Sequence, residues 1–505
     1  MASKRLLAIL WLLLLLFFPT AECYQSRIIE SICGHLPHRK ECEVLLSQSP
    51  SNNDVYLLHH TFEVLLQLAE DLTLQTGNYT SSLGSKCKFQ RERTALNDCI
   101  ELYKQSFHRL KKLHSSLGID PAEQQIWLSA ALANLETCRY GFEDLGVTGN
   151  VYSMLSNNAS HMISNCLALN KAPPTKPKTV NGFPHWVKPG ERKLLQDSVT
   201  PHVVVAQDGS GNYRTVSQAV AAASGRSRFV IHVKAGIYKE IVQIRADNVM
   251  LIGDGIGKTI ITGSRSVAGG ATTFNSATVA ITGDRFYARG ITFRNTAGPD
   301  GFQAVALRSG SDCSVFYKCG FEGYQDTLYT HIQRQFYKDC DIYGTVDFIF
   351  GDAAVVFQTS NLYARNPPRR TNVITAHGRS DPNENTGYSI QNCNILAASG
   401  LSPHASTYLG RPWKKYSRTV FMQSNLGSLI HPAGWYPWDG NFALDTLYYA
   451  EYSNTGPGAS TARRVKWKGY NVITSPIVAT KFTARYFIGG DGWLPATGVP
   501  FTPGL

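Results

Sequence analysis

One six-residue pattern constrains this chain more than any other feature, because it recurs along the C-terminal half. The copies are Phe286-Tyr-Ala-Arg-Gly-Ile291, Phe316-Tyr-Lys-Cys-Gly-Phe321, Tyr337-Lys-Asp-Cys-Asp-Ile342, Phe357-Gln-Thr-Ser-Asn-Leu362, Ile390-Gln-Asn-Cys-Asn-Ile395 and Phe421-Met-Gln-Ser-Asn-Leu426. Positions one and six are apolar, and position four usually carries a small or sulfur-bearing side chain. Successive first positions are 30, 21, 20, 33 and 31 residues apart. A nearly constant unit with variable insertions marks a solenoid whose coils stack while its loops differ. Short runs such as Phe229-Val-Ile-His-Val233 end in Gly, Asp or Asn turns, and the amphipathic periodicity of helical solenoids is absent. The expected architecture is therefore an all-β parallel β-helix, with a β-sandwich as the alternative that also spaces short strands regularly. The position-four residues Cys319, Cys340, Ser360, Cys393 and Ser424 then form a ladder, either of small buried side chains or of neighbours joined by disulfides.

The repeat also aligns two carboxylates. Asp326 and Asp347 each lie five residues beyond position six of consecutive copies and are 21 residues apart, which equals the local period. In-register coils would stack them about 4.8 Å apart on one face. Two carboxyls that close do not both ionise cheaply, so one is driven toward the protonated form while the other stays charged. The pair offers an acid beside a base or nucleophile, or, as the structural alternative, two turn caps at coil corners.

Upstream the pattern changes. Lys4 and Arg5 precede an apolar run of 13 residues from Leu6 to Phe18, followed by Pro19-Thr-Ala-Glu-Cys23. This reads as a signal peptide over residues 1–23, too short for the ~20 residues of a spanning helix, so a secreted chain without a membrane span is expected. Eleven cysteines suit that route, as do the sequons at Asn78 and Asn158, the expected glycosylation sites. Residues 24–170 read as a helical bundle. Its best-marked helix opens at Asp120-Pro121 with Glu123 in the first turn and continues with an apolar stripe of Trp127, Ala131, Leu135 and Cys138. The Pro/Lys stretch from Lys171 to Lys178 begins a stiff linker, residues 171–195, ending in the dibasic Arg192-Lys-Leu-Leu195, a candidate protease site. Residues 196–505 form the β-helical part.

The formal charge is +12, and 29 basic against 20 acidic residues from Gln196 onward place most of it in the C-terminal part. An anionic partner is favoured. No basic run, zinc-finger spacing or RNP-like motif points to nucleic acid, whereas an acidic polysaccharide or a membrane surface fits equally well. The histidines show no metal-ligand spacing, so no metal or other cofactor is expected.

Five ordered segments carry a family resemblance: Gly236-Ile-Tyr-Lys-Glu240, Gln303-Ala-Val-Ala-Leu307, Gly323-Tyr-Gln-Asp-Thr-Leu-Tyr329, Asp347-Phe-Ile-Phe-Gly351 and Leu409-Gly-Arg-Pro-Trp413. They resemble the signature segments of plant pectinesterases. The helical part resembles the pectinesterase-inhibitor domain that precedes many of these enzymes, with Cys33 pairing Cys42 and Cys99 pairing Cys138. Arg192-Lys-Leu-Leu195 is similar to the family's processing site, where a subtilisin-like protease would remove the helical part.

The resemblance implies a right-handed parallel β-helix that hydrolyses the methyl esters of galacturonosyl residues in pectin, giving pectate and methanol in the cell wall. It makes Asp347 the nucleophile and Asp326 the general acid, then base. Gln303 and Gln325 become oxyanion donors, Gln303 also touching substrate, Arg411 the partner of the nucleophile and Trp413 a sugar-contacting aromatic. Tyr324, Phe348 and Phe350 are equally readable as cleft or core. Three residues depart from the family's pattern: Ser360 stands where a half-cystine opposite Cys340 is expected, Cys313 replaces an aliphatic residue, and Asp352 replaces an Asn, adding a negative charge near Asp347. On spacing alone, paired carboxylates would also suit a retaining glycosidase, and β-helices carry polygalacturonases and lyases by analogy of fold. A non-catalytic inhibitor or wall binder is the remaining alternative.

Overall fold

The structure, a computed structural model, describes residues 28–48, 60–116, 120–147, 155, 158–170, 179–180, 183–184, 200–225 and 227–505. The signal segment, the Lys171–Lys178 stretch and the Arg192–Leu195 site lie outside these residues. Within the linker, Thr179–Val180 and Phe183–Pro184 pair as a short antiparallel hairpin.

The helical part contains α1 (Arg39–Ser47), α2 (Thr61–Ser82), α3 (Gln90–Ser115), α4 (Pro121–Asp144) and α5 (Asn158–Leu169). Helix α4 starts where the sequence marks it: the Asp120 side chain accepts from the Ala122 amide at 2.9 Å, and Pro121 takes the first position, where no amide is needed. The bonds Cys33–Cys42 and Cys99–Cys138 are formed, while Cys87 and Cys166 stay free and buried. Asn78 and Asn158 are both exposed, but on helices α2 and α5.

From Val203 the chain winds into three parallel sheets of 11, 8 and 7 strands. The hexad is the corner between the first two. Phe316, Tyr337, Phe357, Ile390 and Phe421 pair in register at position one, and Phe321, Ile342, Leu362, Ile395 and Leu426 do so at position six. Aromatic rings stack up the interior, Phe316 on Tyr337 at 4.6 Å and Tyr337 on Phe357 at 4.8 Å. Between them the third residue turns the corner in the left-handed region: Lys318, Asp339, Thr359, Asn392 and Gln423 have φ of 51°, 53°, 50°, 54° and 52°.

One expectation changes, and one pair of alternatives resolves. The first copy is displaced by two residues, since Ala288 pairs with Phe316 and Phe293 with Phe321. The true unit is 288–293, which puts Gly290, φ 67°, at the left-handed corner. Phe286 mimicked position one because its ring still reaches the same core, 5.6 Å from Phe316. The ladder Cys319, Cys340, Ser360, Cys393 and Ser424 is buried without disulfides. Its hydroxyls serve the backbone instead, Ser360 Oγ accepting from the Cys340 amide and Ser424 Oγ from the Cys393 amide, each at 3.1 Å.

Candidate functional site

The third sheet sets the site. Its strands β1 (Leu307–Ser309), β2 (Leu328–Thr330), β3 (Ile349–Gly351), β4 (Thr371–His377) and β5 (Ser406–Gly410) bring Leu307, Leu328, Ile349, Thr375 and Gly410 into one column. Asp326 and Asp347 each stand two residues before their column member, one coil apart. Both occupy the left-handed region, with φ of 61° and 51°, and the Asp326 amide donates to Val346 O at 3.1 Å. The same backbone conformation on adjacent coils points both carboxyls the same way, as the 21-residue spacing requires.

Arg411 follows the column two coils further on, its amide donating to Thr375 O at 3.0 Å. Its guanidinium grips Asp347: Nε lies 2.9 and 3.1 Å from the two carboxylate oxygens and Nη2 lies 2.6 Å from Oδ2. Burial raises both carboxyls, but unequally. Asp326 is pushed well above the carboxylate range by burial and then by the charge on Asp347. Asp347 is raised by burial and pulled back by the charge and hydrogen bonds of Arg411. Asp326 therefore holds the proton and Asp347 the charge. Gln325 directly precedes Asp326 on the same coil and Gln303 lies on the coil before, the two segments tied through Gln325 O and the Ala304 amide at 3.2 Å. Both are half-buried, and among the described residues neither amide group has a side-chain hydrogen bond, which leaves both free to donate.

An aromatic wall closes one side. Tyr329 stacks on Phe350 at 4.2 Å, and Phe350 meets Trp413 edge-on at 6.0 Å. Trp413 lies so close to Gly378 that a Cβ there would sit 2.9 Å from its Cε3. Phe350 is buried outside the β-helix interior, in the cluster shared with the helical part, whereas Phe348 is in the β-helix core and Tyr324 packs under Arg365 at 4.1 Å. Sequence reasoning missed Trp438, over which Arg411 stacks at 4.3 Å, and His331; both come from segments without a repeat signal. Asp352 faces Glu384 and Thr386 rather than Asp347.

The helical part is seated over this wall. Tyr140 of α4 packs edge-on to Trp413 at 5.0 Å, and Thr137 Oγ1 lies 3.0 Å from His331 Nε2. The space left between them, lined by Thr137, Tyr140, Tyr329, His331, Trp413 and Lys414, is about 20 Å³. A roomier hollow of about 720 Å³ beside Ser217, Gln243 and Arg265 contains neither aspartate. The seating is anchored by Arg109, bidentate to buried Asp284 at 2.6 Å on both bonds, and by Arg334, which joins Asp312 at 2.7 Å and Glu123 at 3.2 Å. So α4 is buried beyond the single stripe that its sequence shows, because its second face packs on the β-helix.

The structure also gathers one trio suited to a metal, His38, Glu41 and His161, with ligand atoms within 4.8 Å. Its imidazoles stack at 4.0 Å and 11°, so their in-plane lone pairs run parallel rather than converge, and the trio in this arrangement is not a metal centre.

A family model described as Pectinesterase matches residues 202–491, and one described as Plant invertase/pectin methylesterase inhibitor matches residues 27–169. The chain is 56% identical over 509 residues to Pectinesterase 2 of Citrus sinensis, covering 100% of each. Its β-helical part is similar to the solved pectin methylesterase from carrot, at 58% identity and TM-score 0.60, covering 61% of this chain and 99% of that one. A solved pectin methylesterase in complex with a hexasaccharide is 26% identical with TM-score 0.50, covering 61% of this chain and 100% of that one.

Proposed function

Since the chain belongs to the pectinesterase family, as a carboxylic ester hydrolase preceded by an inhibitor-type helical domain, we propose that it hydrolyses the methyl esters of galacturonosyl residues in pectin through Asp347 and Asp326. Asp347 attacks the ester carbonyl, while the amides of Gln303 and Gln325 donate to the oxygen that becomes charged. As the tetrahedral intermediate collapses, Asp326 gives its proton to the departing methanol, leaving an acyl-enzyme. Asp326, now a base, takes a proton from water as that water attacks the acyl carbon. Acid product leaves, Asp347 is regenerated ionised, and Asp326 is protonated again. Arg411 keeps Asp347 charged and aimed, and Trp413 supports a sugar ring.

The observation that carries this reading is the pair of stacked carboxyls on consecutive coils, of which one alone is gripped by a guanidinium. The helical part, residues 24–170, acts as an autoinhibitory cover, supported by Tyr140 on Trp413. The linker, residues 171–195, is cut at Arg192-Lys-Leu-Leu195 to free residues 196–505 in the cell wall after secretion. The positive charge of that part draws it to partly de-esterified pectin, an attraction that added salt would screen.

Methanol release from highly methylated pectin, before and after cleavage in the linker, tests the reading. Cleaved protein should release methanol with polymer length unchanged, intact protein far less, and cleaved Asp347→Asn none. New chain ends, or an Asp347→Asn variant that keeps most of its rate, would refute it.

A further inference from the structure

Behind the aromatic wall lie two further buried carboxyls that the mechanism does not use. Asp352 and Glu384 are 6% and 1% exposed. Both reach one hydroxyl, Thr386 Oγ1, which lies 2.6 Å from Asp352 Oδ1 and 3.4 Å from Glu384 Oε2. One hydroxyl has one proton, so it satisfies only one of them. Glu384 Oε1 accepts from Ser380 Oγ and the Asp381 amide at 3.0 and 3.1 Å, but Asp352 Oδ2 has no partner among the described residues.

Among the described residues no Arg or Lys forms an ion pair with either carboxyl, and the charges of Arg379 and Arg418 act on the pair only from a distance. Arg379 directs its guanidinium at the carbonyls of Glu384, Pro382 and Tyr416, and Arg418 Nη2 donates to Glu384 O at 3.0 Å. Neither forms an ion pair with Asp352 or Glu384 among the described residues. His377 Nε2 stands 3.8 Å from Asp352, and burial holds its imidazole neutral. Tyr388, also buried, is held in its neutral form too. Asp381 is bonded to Ser164 of α5, and Glu136 and Lys414 face Asp352 across the small space beneath α4. Two buried anions side by side without a cation in contact are costly, and a proton between them removes one charge while giving Asp352 Oδ2 or its neighbour a donor. Burial pushes Asp352 up to about 6, and burial together with the charge on Asp352 pushes Glu384 well above its usual range.

The pair closes a loop that matters to the wall. Residues 377–386 run from the end of β4 past Gly378, whose amide donates to Gly351 O at 2.7 Å and whose bare Cα supports Trp413. We propose that Asp352 and Glu384 share one proton and act as a positioning pair, fixing the 377–386 loop and hence the floor under Trp413, so that the grip on pectin depends on their protonation. This rests on Trp413 contacting a sugar. An O–H donor on a carboxylate is roughly twice as strong as a neutral pair. A second proton, taken up at lower pH, weakens that bond and loosens the floor.

The experiment has two arms. On the full chain, infrared difference spectra at neutral pH between the parent and Asp352→Asn or Glu384→Gln should lose a protonated-carboxyl carbonyl band; an unchanged band would overturn the proposal. After cleavage in the linker, the parent's KM for pectin should fall roughly fivefold between about pH 5 and about pH 7, within the limit of about tenfold per pH unit that linkage to one proton sets. The double variant Asp352→Asn/Glu384→Gln keeps a donor facing an acceptor but cannot titrate, and its KM should stay flat over that range. A double variant with the parent's KM profile would overturn the proposal, as would one with KM raised equally at every pH. Failure of every protein, parent included, to release methanol would sink the esterase reading instead, and the infrared arm judges the pair independently.

Discussion

At the level of single side chains, the placement of Arg411 has the widest consequences. It holds Asp347 through three contacts of 2.6 to 3.1 Å and leaves Asp326 ungripped, the inequality on which the proposed division of labour rests. Arg411→Ala should remove the main influence that lowers Asp347. The proposed mechanism needs Asp347 ionised, so the acidic limb of the kcat/KM profile should move to higher pH. The peak should fall roughly a hundredfold, about 3 kcal/mol for a lost charged contact. Steady-state methanol release by the linker-cleaved enzyme measures both. The two aspartates are legible in the amino-acid sequence alone, because a repeat period translates directly into stacking. Their inequality is legible only through the family motif around Arg411. Trp438, His331 and the Asp352–Glu384 pair are not legible there, since each depends on which loops meet across coils, and no spacing rule encodes that.

At the level of elements, the hexad is a corner, and its third residue does the turning. Sequence reading found the apolar ends because burial selects their chemistry. It passed over position three because Lys, Asp, Thr, Asn and Gln share only polarity, which any solvent-facing position shows, and a positive φ that side-chain chemistry does not announce. Gly290 was the one clue, and a copy aligned on Phe286 put it at position five instead of three. Position four offers a prediction: Cys340 and Ser360 are neighbours on adjacent coils, with Asp341 and Asn361 paired beside them. Adjacent strands lie about 4.8 Å apart, inside the Cα range of a disulfide, about 4.4 to 6.8 Å. Ser360→Cys should therefore bridge to Cys340 under oxidising conditions, giving one fewer free thiol than the parent in a denaturing thiol titration and a higher Tm that reductant abolishes.

At the level of the whole molecule, the helical part is docked through charge as well as apolar packing. Arg109→Ala would strand Asp284 in a buried site with the Asp312 amide at 3.1 Å and, as its remaining ion-pair partner among the described residues, Lys112 at 3.6 Å. The cost, about 3 kcal/mol or more, predicts a roughly hundredfold weaker hold on the helical part once the linker is cut, measurable by calorimetric titration of the separated halves. Docking should also depend on pH. Asp98 of α3, bonded by Thr272, is raised to about 7 by burial, and Asp144, which accepts from the Thr273 amide at 3.0 Å, is raised too. Carboxyls raised in the docked state bind protons on docking. Their contribution is full below the ordinary carboxylate value near 3.8 and is lost as pH rises through about 7. The same titration at successive pH values should show affinity falling across that window, by at most about tenfold per pH unit for each proton. Contacts between halves so distant in sequence leave no mark on the chain's spacing, although the second apolar face of α4, with Ala130 and Ala133 against Ile332, was there to be read.

Tyr140 and a bound sugar would rest on one indole, that of Trp413. Polymer and cover are then rivals for a single seat, and after the linker is severed the surrounding concentration of pectin sets what fraction of the enzyme stays covered. A substitution at Trp413 that tightens one occupant's fit alters the other's, so affinity for the wall polymer and the duration of latency would drift together through descent.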